Sequence, residues 1–227
     1  MAAYCELHCR SAFSFLRGAS TPEALVAEAA RRGLPALAVL DRDNLCAAPR
    51  VYGAARVAGV RARVGAEVTL ADGSVLPLLV ANRTGYRNLC RLISEAKLTP
   101  RPADVTTEAA APAPGTHDPE EAVDPGAPKR PCLATWEELA RHAEGLVALT
   151  GDAEGPIRRA WRRDGPAAAA AALARLEAIY GQDRLHVELQ RDRRRGEDRE
   201  LAGLRDLAAT RGLPILATGG VDYATPE

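Results

Sequence analysis

The chain has 227 residues, 47% of them hydrophobic, enough apolar material for one large domain or two small ones without a disulfide or structural metal to hold the core. Lysine plus arginine and aspartate plus glutamate stand at 30 each, so no net positive charge is available to grip a phosphate backbone, and nucleic-acid binding by this chain alone is not expected. Five cysteines without CxxC spacing argue against a disulfide framework or a zinc knuckle, and with no secretory leader and no run of about 18 apolar residues the sequence predicts reduced, mostly buried thiols, a cytoplasmic location and no membrane partner.

In chain order, "YCELHC" reads as a first strand. "STPEALVAEAARRG" reads as a helix, with Ser20 and Glu23 as a capping box, Pro22 in the first turn and Gly33 at the C-terminal end. "LPALAVLD" is a continuous apolar run of strand length, as expected for a strand covered on both faces. A helix near Leu45 to Ala58 follows, then "ARVGAEVTL" and "VLPLLVAN" as strands joined across "ADGS", whose Asp72-Gly73 pair signals a hairpin turn. "TGYRNLCRLISEAK" places Tyr86, Leu89, Leu92 and Ile93 at helical spacing.

Residues 99–131 are rich in Pro, Ala, Asp and Glu with few large apolar side chains, and read as a disordered insertion. Beyond it come "TWEELARHAEG" as helix, "GLVALTG" as strand and an Ala-rich helix from about Pro166 to Tyr180. "RLHVELQ" then reads as strand, "GEDRELAGLRDLAATRG" as helix and "LPILATGG" as strand. Such βα units predict an α/β fold with a largely parallel sheet, in two stretches, 1–98 and 132–227, either side of the insertion. The sequence stops at "TPE" directly after the last recognisable strand, which reads as a chain truncated at its C-terminus.

If that sheet closes as a barrel, its functional groups gather where the βα loops converge, at the C-terminal ends of the strands. This selects His8 and Arg10 after the first strand, Asp41, Arg42 and Asp43 after the second, and Glu67 on the third. It also selects Asp192 after "VELQ" and Gly219, Gly220 and Asp222 after the last strand.

Seven segments in order, "ELHCRSAFSFLRGAS", "LDRDNL", "GAEVTL", "GYRNLCRLIS", "EGLVALTG", "VELQRD" and "ATGGVDYATPE", resemble the PHP (polymerase and histidinol phosphatase) domain. The resemblance is closest to the N-terminal PHP domain of the error-prone C-family DNA polymerases, relatives of the DNA polymerase III alpha subunit. It implies a distorted (β/α)7 barrel, similar to a TIM barrel, which in active members holds up to three metal ions and hydrolyses phosphoesters or acts as a 3′–5′ exonuclease. His8 matches the first histidine of that family's HxH motif, and Glu67 the glutamate of its third motif. Arg10 stands at the second histidine, Arg17 at an acidic ligand and Arg42 at the histidine of the Asp-His pair. Asp192 stands at a further histidine, and Gly220 and Asp222 at the closing Asp-x-His.

A guanidinium has five donors and no lone pair, so it cannot ligate a cation. One placed about 4 Å from a metal opposes it by roughly 4 kcal/mol per unit charge at an effective dielectric near 20. Arg10, Arg17 and Arg42 are therefore expected to exclude metal and to pair with Glu67, Asp41, Asp43, Asp192 or Asp222. No cofactor is expected; zinc or manganese would be held only if the remnant set His8, Glu67, Asp41, Asp192 and Asp222 still functioned. His8 is expected to bond a carboxylate, and His186 to pack within its strand, while His142 on a helix and His117 in the insertion carry no role. "RDRRRGEDR" reads as a solvated loop of mixed sign.

The resemblance thus implies a structural, catalytically inactive PHP domain of a polymerase acting in DNA replication and translesion repair. Its partners would be the remaining polymerase domains, and DNA only through them. The alternative is a stand-alone metal-dependent phosphoesterase.

Overall fold

In the computed structural model, which describes residues 4–98 and 131–225, the apolar runs become strands and the amphipathic stretches helices. The order is β1 (Glu6–Cys9), α1 (Pro22–Arg31), β2 (Ala36–Arg42), α2 (Ala48–Ala58), β3 (Arg61–Thr69), β4 (Val75–Val80) and α3 (Arg83–Leu98). Then come α4 (Trp136–Arg141), β5 (Leu146–Leu149), α5 (Pro156–Asp164), α6 (Pro166–Tyr180), β6 (Leu185–Gln190), α7 (Glu197–Arg211) and β7 (Ile215–Thr218). Of the expected insertion, residues 99–130, His117 among them, lie outside the described residues.

The seven strands pair in sequence order, β1 to β7, curling into a nearly closed barrel. All neighbours are parallel except β4, which runs antiparallel to both β3 and β5. The cause is local. Leu70 and Ser74 close a three-residue loop, Leu70 N donating to Ser74 O at 2.8 Å and Gly73 N to Leu70 O at 2.8 Å. Gly73 takes φ of 77°, the left-handed position that such a loop requires. The remaining gap is bridged beyond the end of β7, where Arg10 N donates to Val221 O (2.8 Å) and Val221 N to His8 O (3.1 Å).

Strand alternation sorts the barrel interior into layers. Ala38, Leu40 and Leu149, with Leu7, Leu79 and Leu216 packed against them, form an apolar plug at mid-height. Outside, α1 and α2 cover β1–β3 through Leu25, Val26, Leu37, Val39 and Val51. The larger outer core joins Val68, Leu76, Leu78, Leu89, Leu139, Leu146, Leu173 and Leu204. No helix among the described residues is long and apolar enough to cross a membrane.

Several local expectations shift. Thr21 rather than Ser20 caps α1, accepting from Ala24 N, and Glu23 pairs with Arg50 instead of closing a capping box. Ser20 Oγ accepts from Ala224 N instead. Helix α2 starts at Ala48, not Leu45. Helix α5 is not legible from apolar periodicity because "PIRRAWRRD" is dominated by arginine, although Ile157 and Arg158 are buried. All five cysteines are free, Cys9 and Cys132 buried but Cys46 exposed.

Asn82 starts α3 by accepting from Gly85 N at 3.0 Å, which brings that turn against Gly145. A Cβ on Gly85 would overlap the Gly145 carbonyl. Gly85→Ala is expected to cost about 1–3 kcal/mol through this overlap. Urea unfolding should show a lower midpoint with an unchanged slope.

Candidate functional site

The barrel mouth is built by inward-facing residues at the strand ends and by the loops that follow. β1 departs from regular pairing: Glu6 faces Leu37 but Cys9 faces Val39, so one extra residue is accommodated in β1. That slip lets Leu7 join the plug while His8 and Arg10 both enter the mouth, and Cys9 turns out into the core under α1 and α2. Glu67 comes from β3, Glu188 from β6, Thr218 from β7, Arg42 from the end of β2, Asp152 and Glu154 from the loop after β5, and Asp222 from the segment after β7.

Glu67, 1% exposed, is the centre of the cluster. Its Oε1 accepts from Arg10 Nη2 at 2.5 Å and lies 2.9 Å from His8 Nε2, and its Oε2 accepts from Arg42 Nε at 2.9 Å. His8 is clamped from the other side by Glu188 Oε1 at 2.7 Å from Nδ1, and the same oxygen accepts from Thr218 Oγ1. Arg10 reaches Asp152 (2.5 Å) and Asp222 (3.1 Å) as well. Arg42 and Arg17 converge on Glu154, Arg17 in a two-bond fork at 2.5 and 2.8 Å. Five carboxylates thus meet three guanidiniums and one imidazole.

The electrostatics follow from burial and pairing. Burial alone would lower the His8 pKa, but Glu188 and Glu67 outweigh it and push it up to about 10, so the ring is an imidazolium at neutral pH. Burial alone would raise Glu67, yet His8 and Arg10 hold it well below the usual carboxylate range. Asp152 is lowered against its burial chiefly by Arg10, and Glu154 by Arg17 and Arg42.

Of the residues selected from sequence, His8, Arg10, Arg42, Glu67 and Asp222 come together. Asp41 does not pair with an arginine: it accepts from Ser11 N, Ser11 Oγ and Ser14 Oγ, each at 2.7 Å, and so shapes the loop after β1. Asp43 likewise binds Thr69 N and Oγ1 rather than an arginine. Asp192 accepts from Gln190 Nε2 and pairs with Arg194, with no bond to His8 or Glu67 among the described residues. Arg17 sits on the rim, 42% exposed. Glu188, Asp152, Glu154 and Thr218 were not singled out from sequence. Glu188 had a signal, a charge in the middle of the apolar strand "RLHVELQ".

A divalent metal needs several lone pairs converging on one point. Here both His8 nitrogens are held against carboxylates, at 2.7 Å from Glu188 and 2.9 Å from Glu67, and the Glu67 oxygens are occupied by Arg10, Arg42 and the His8 ring. Glu188 Oε2 is the oxygen of the His8–Glu67–Glu188 trio left without a partner. Among the described residues no group of three or more His, Cys, Asp or Glu could hold a metal ion. The donor set does not fit the group that the resemblance implies.

Over residues 6–192 the sequence matches the PHP domain family. Error-prone DNA polymerases align over 99% of the chain: 39% identity with that of Symbiobacterium thermophilum and 37% with that of Mycobacterium tuberculosis. The chain spans only about one fifth of these relatives, 20% and 19% of their length. Among solved structures, one described as a metal-dependent phosphoesterase from Bifidobacterium adolescentis superposes over 100% of this chain and 91% of its own, with a TM-score of 0.59 and 18% identity. An amidohydrolase from Chromobacterium violaceum, solved with sulfate and no metal, covers 97% of this chain and 88% of its own, with a TM-score of 0.61 and 17% identity. These two likenesses concern the fold.

Glu67→Ala is expected to destabilise by about 3–5 kcal/mol, because it leaves Arg10, Arg42 and charged His8 buried without their common acceptor. Arg17→Ala, which breaks an exposed pair, should cost less than about 1 kcal/mol. Chemical denaturation of both variants measures the contrast.

The raised His8 pKa also has a sign. The folded state keeps a proton that the unfolded chain releases near pH 6.5, so this contribution is full below about 6.5 and is lost as pH rises through about 10. Between pH 6.5 and 8, below most thiol titration, the unfolding free energy should fall with pH in the wild type and lose that slope in His8→Gln.

Proposed function

The chain belongs to the PHP domain family, and from that premise we propose that it serves as the PHP domain of an error-prone DNA polymerase, structural in role and without a catalytic metal. Its partners on this reading are the remaining polymerase domains, in the cytoplasm, and DNA is reached only through them during replication and translesion repair. The observation that carries the proposal is the sharing of Glu67 by His8, Arg10 and Arg42. His8, Glu67, Asp152 and Asp222, which could have offered lone pairs to a cation, are engaged in ion pairs instead. Among the described residues no free donor set favours phosphoester hydrolysis through a bound metal, so the stand-alone phosphoesterase is the disfavoured alternative. The identity with error-prone polymerases over 99% of the chain supports the same choice.

Elemental analysis after incubation with zinc or manganese and dialysis tests it. The wild type should retain no stoichiometric metal and show no metal-dependent phosphoesterase activity above background. The variant Arg10→His/Arg17→Asp/Arg42→His removes three cations and offers two new ligand-bearing side chains beside Glu67 and a third at the rim. It should take up at least one zinc, with X-ray absorption distances of about 2.0–2.2 Å. Stoichiometric metal in the wild type, or a folded triple variant that binds none, defeats the proposal.

A further inference from the structure

The barrel has a second end. Below the Ala38–Leu40–Leu149 plug, away from the ion pairs, a cavity of about 370 Å³ opens at the N-terminal ends of the parallel strands. Its wall is mixed, with an aliphatic part made by Leu7, Leu79, Val147, Leu149 and Leu216. Two polar side chains break that wall, and their origin is a matter of strand parity. Arg63 lies four residues before Glu67 on the same face of β3, and His186 two residues before Glu188 on the same face of β6. The strands that send carboxylates into the mouth therefore send an arginine and a histidine into the opposite opening.

Neither group is satisfied by the protein. Arg63 is exposed and makes no hydrogen bond or ion pair among the described residues, unlike the arginines of the mouth. His186 Nδ1 is buried and has no partner. Burial lowers the His186 pKa, so the ring is neutral and can offer one N–H. An unpaired cation and a neutral imidazole lining a cavity with an aliphatic floor form a complementary surface for one kind of molecule. At about 30 Å³ per water, the cavity corresponds to roughly a dozen waters, which suits a ligand of about ten non-hydrogen atoms.

We propose that this cavity binds a small monocarboxylate with an apolar body, its carboxylate held by the Arg63 guanidinium and the His186 ring N–H and its body by Leu79, Val147, Leu149 and Leu216. A doubly charged or polyhydroxylated ligand would have to desolvate polar groups against the leucine and valine side chains, which those side chains cannot compensate. A neutral apolar molecule would leave the guanidinium and the ring nitrogen as they are and gain nothing from them. This site is independent of the polymerase role and of the state of the mouth.

Octanoate, with 1-octanol as its neutral counterpart, is the probe. The 227-residue protein is titrated with each by calorimetry and by NMR of methyl and imidazole resonances. Octanoate is expected to bind more tightly than octanol and to shift the methyls of Leu79, Val147, Leu149 and Leu216 together with the His186 ring. Arg63→Ala, a change at an exposed position, should weaken octanoate at least about tenfold, about 1.4 kcal/mol, and leave octanol unaffected. His186→Phe should weaken octanoate selectively in the same way. No octanoate binding at millimolar concentration, equal affinity for the two probes, shifts confined to other parts of the molecule, or an Arg63→Ala variant that binds octanoate as the wild type does would each overturn the proposal.

Discussion

The Glu67 carboxylate is the point on which the upper half of the barrel depends. Withdrawing a carboxylate from water costs several kcal/mol, and the cost is offset only when every lone pair is directed at a donor. His8 from β1, Arg10 just past it and Arg42 from β2 meet that demand on a residue of β3. Three neighbouring strands are thereby held at one register at their C-terminal ends. Arg10 extends the tie to the loop after β5 through Asp152 and to the segment after β7 through Asp222, and His8 extends it to β6 through Glu188. Among the described residues, β4, which enters from the opposite direction, is the strand that contributes to the cluster neither directly nor through the loop after it.

Closure of the barrel depends on the same residues. The β1–β7 seam has no continuous strand ladder; it has the two backbone bonds to Val221, donated by Arg10 and accepted by His8. The residues whose side chains fill the mouth are therefore those whose backbones close the wall. The one-residue slip in β1 is the device that makes both possible, since regular alternation would turn either Leu7 away from the plug or His8 and Arg10 away from the mouth.

Much of this was legible in the sequence, for reasons that differ by element. Continuous apolar runs such as "LPALAVLD" can be buried on both faces only as central strands, and the Asp72-Gly73 turn announced the one hairpin. The arginines Arg10 and Arg42 could be assigned to carboxylates because a buried guanidinium has no other common partner. What stayed hidden was whatever depends on pairing between distant segments. The register slip in β1 exists only relative to β2. The choice of Glu67, Asp152 and Asp222 over Asp41 and Asp43 depends on which carboxylates are claimed by hydroxyls of a neighbouring segment, Ser11 and Ser14 for Asp41 and Thr69 for Asp43. Glu188 was the residue within reach, because strand parity places it beside Gln190 and His186 on the inner face. Asp192 was the opposite case: its place after the strand suggested the mouth, but the loop turns it toward Arg194.

An ion-pair cluster is not the most stabilising filling for a barrel end, since apolar side chains of equal volume can be as good or better. It does supply direction. A methyl group packs against any neighbour at van der Waals distance, whereas the Arg10 guanidinium is planar and satisfies Glu67, Asp152 and Asp222 only when three separate segments lie at fixed angles around it. In a wall that lacks a seventh ladder, that directionality takes over the part of register-setting that strand pairing performs elsewhere. A metal ion at the same place would impose direction in the same manner, by demanding ligands from several loops at once. On the reading proposed above, Arg10 and Arg42 therefore replace a cation by cations tethered to the chain: the architectural task of the centre is retained, and its reactivity is not.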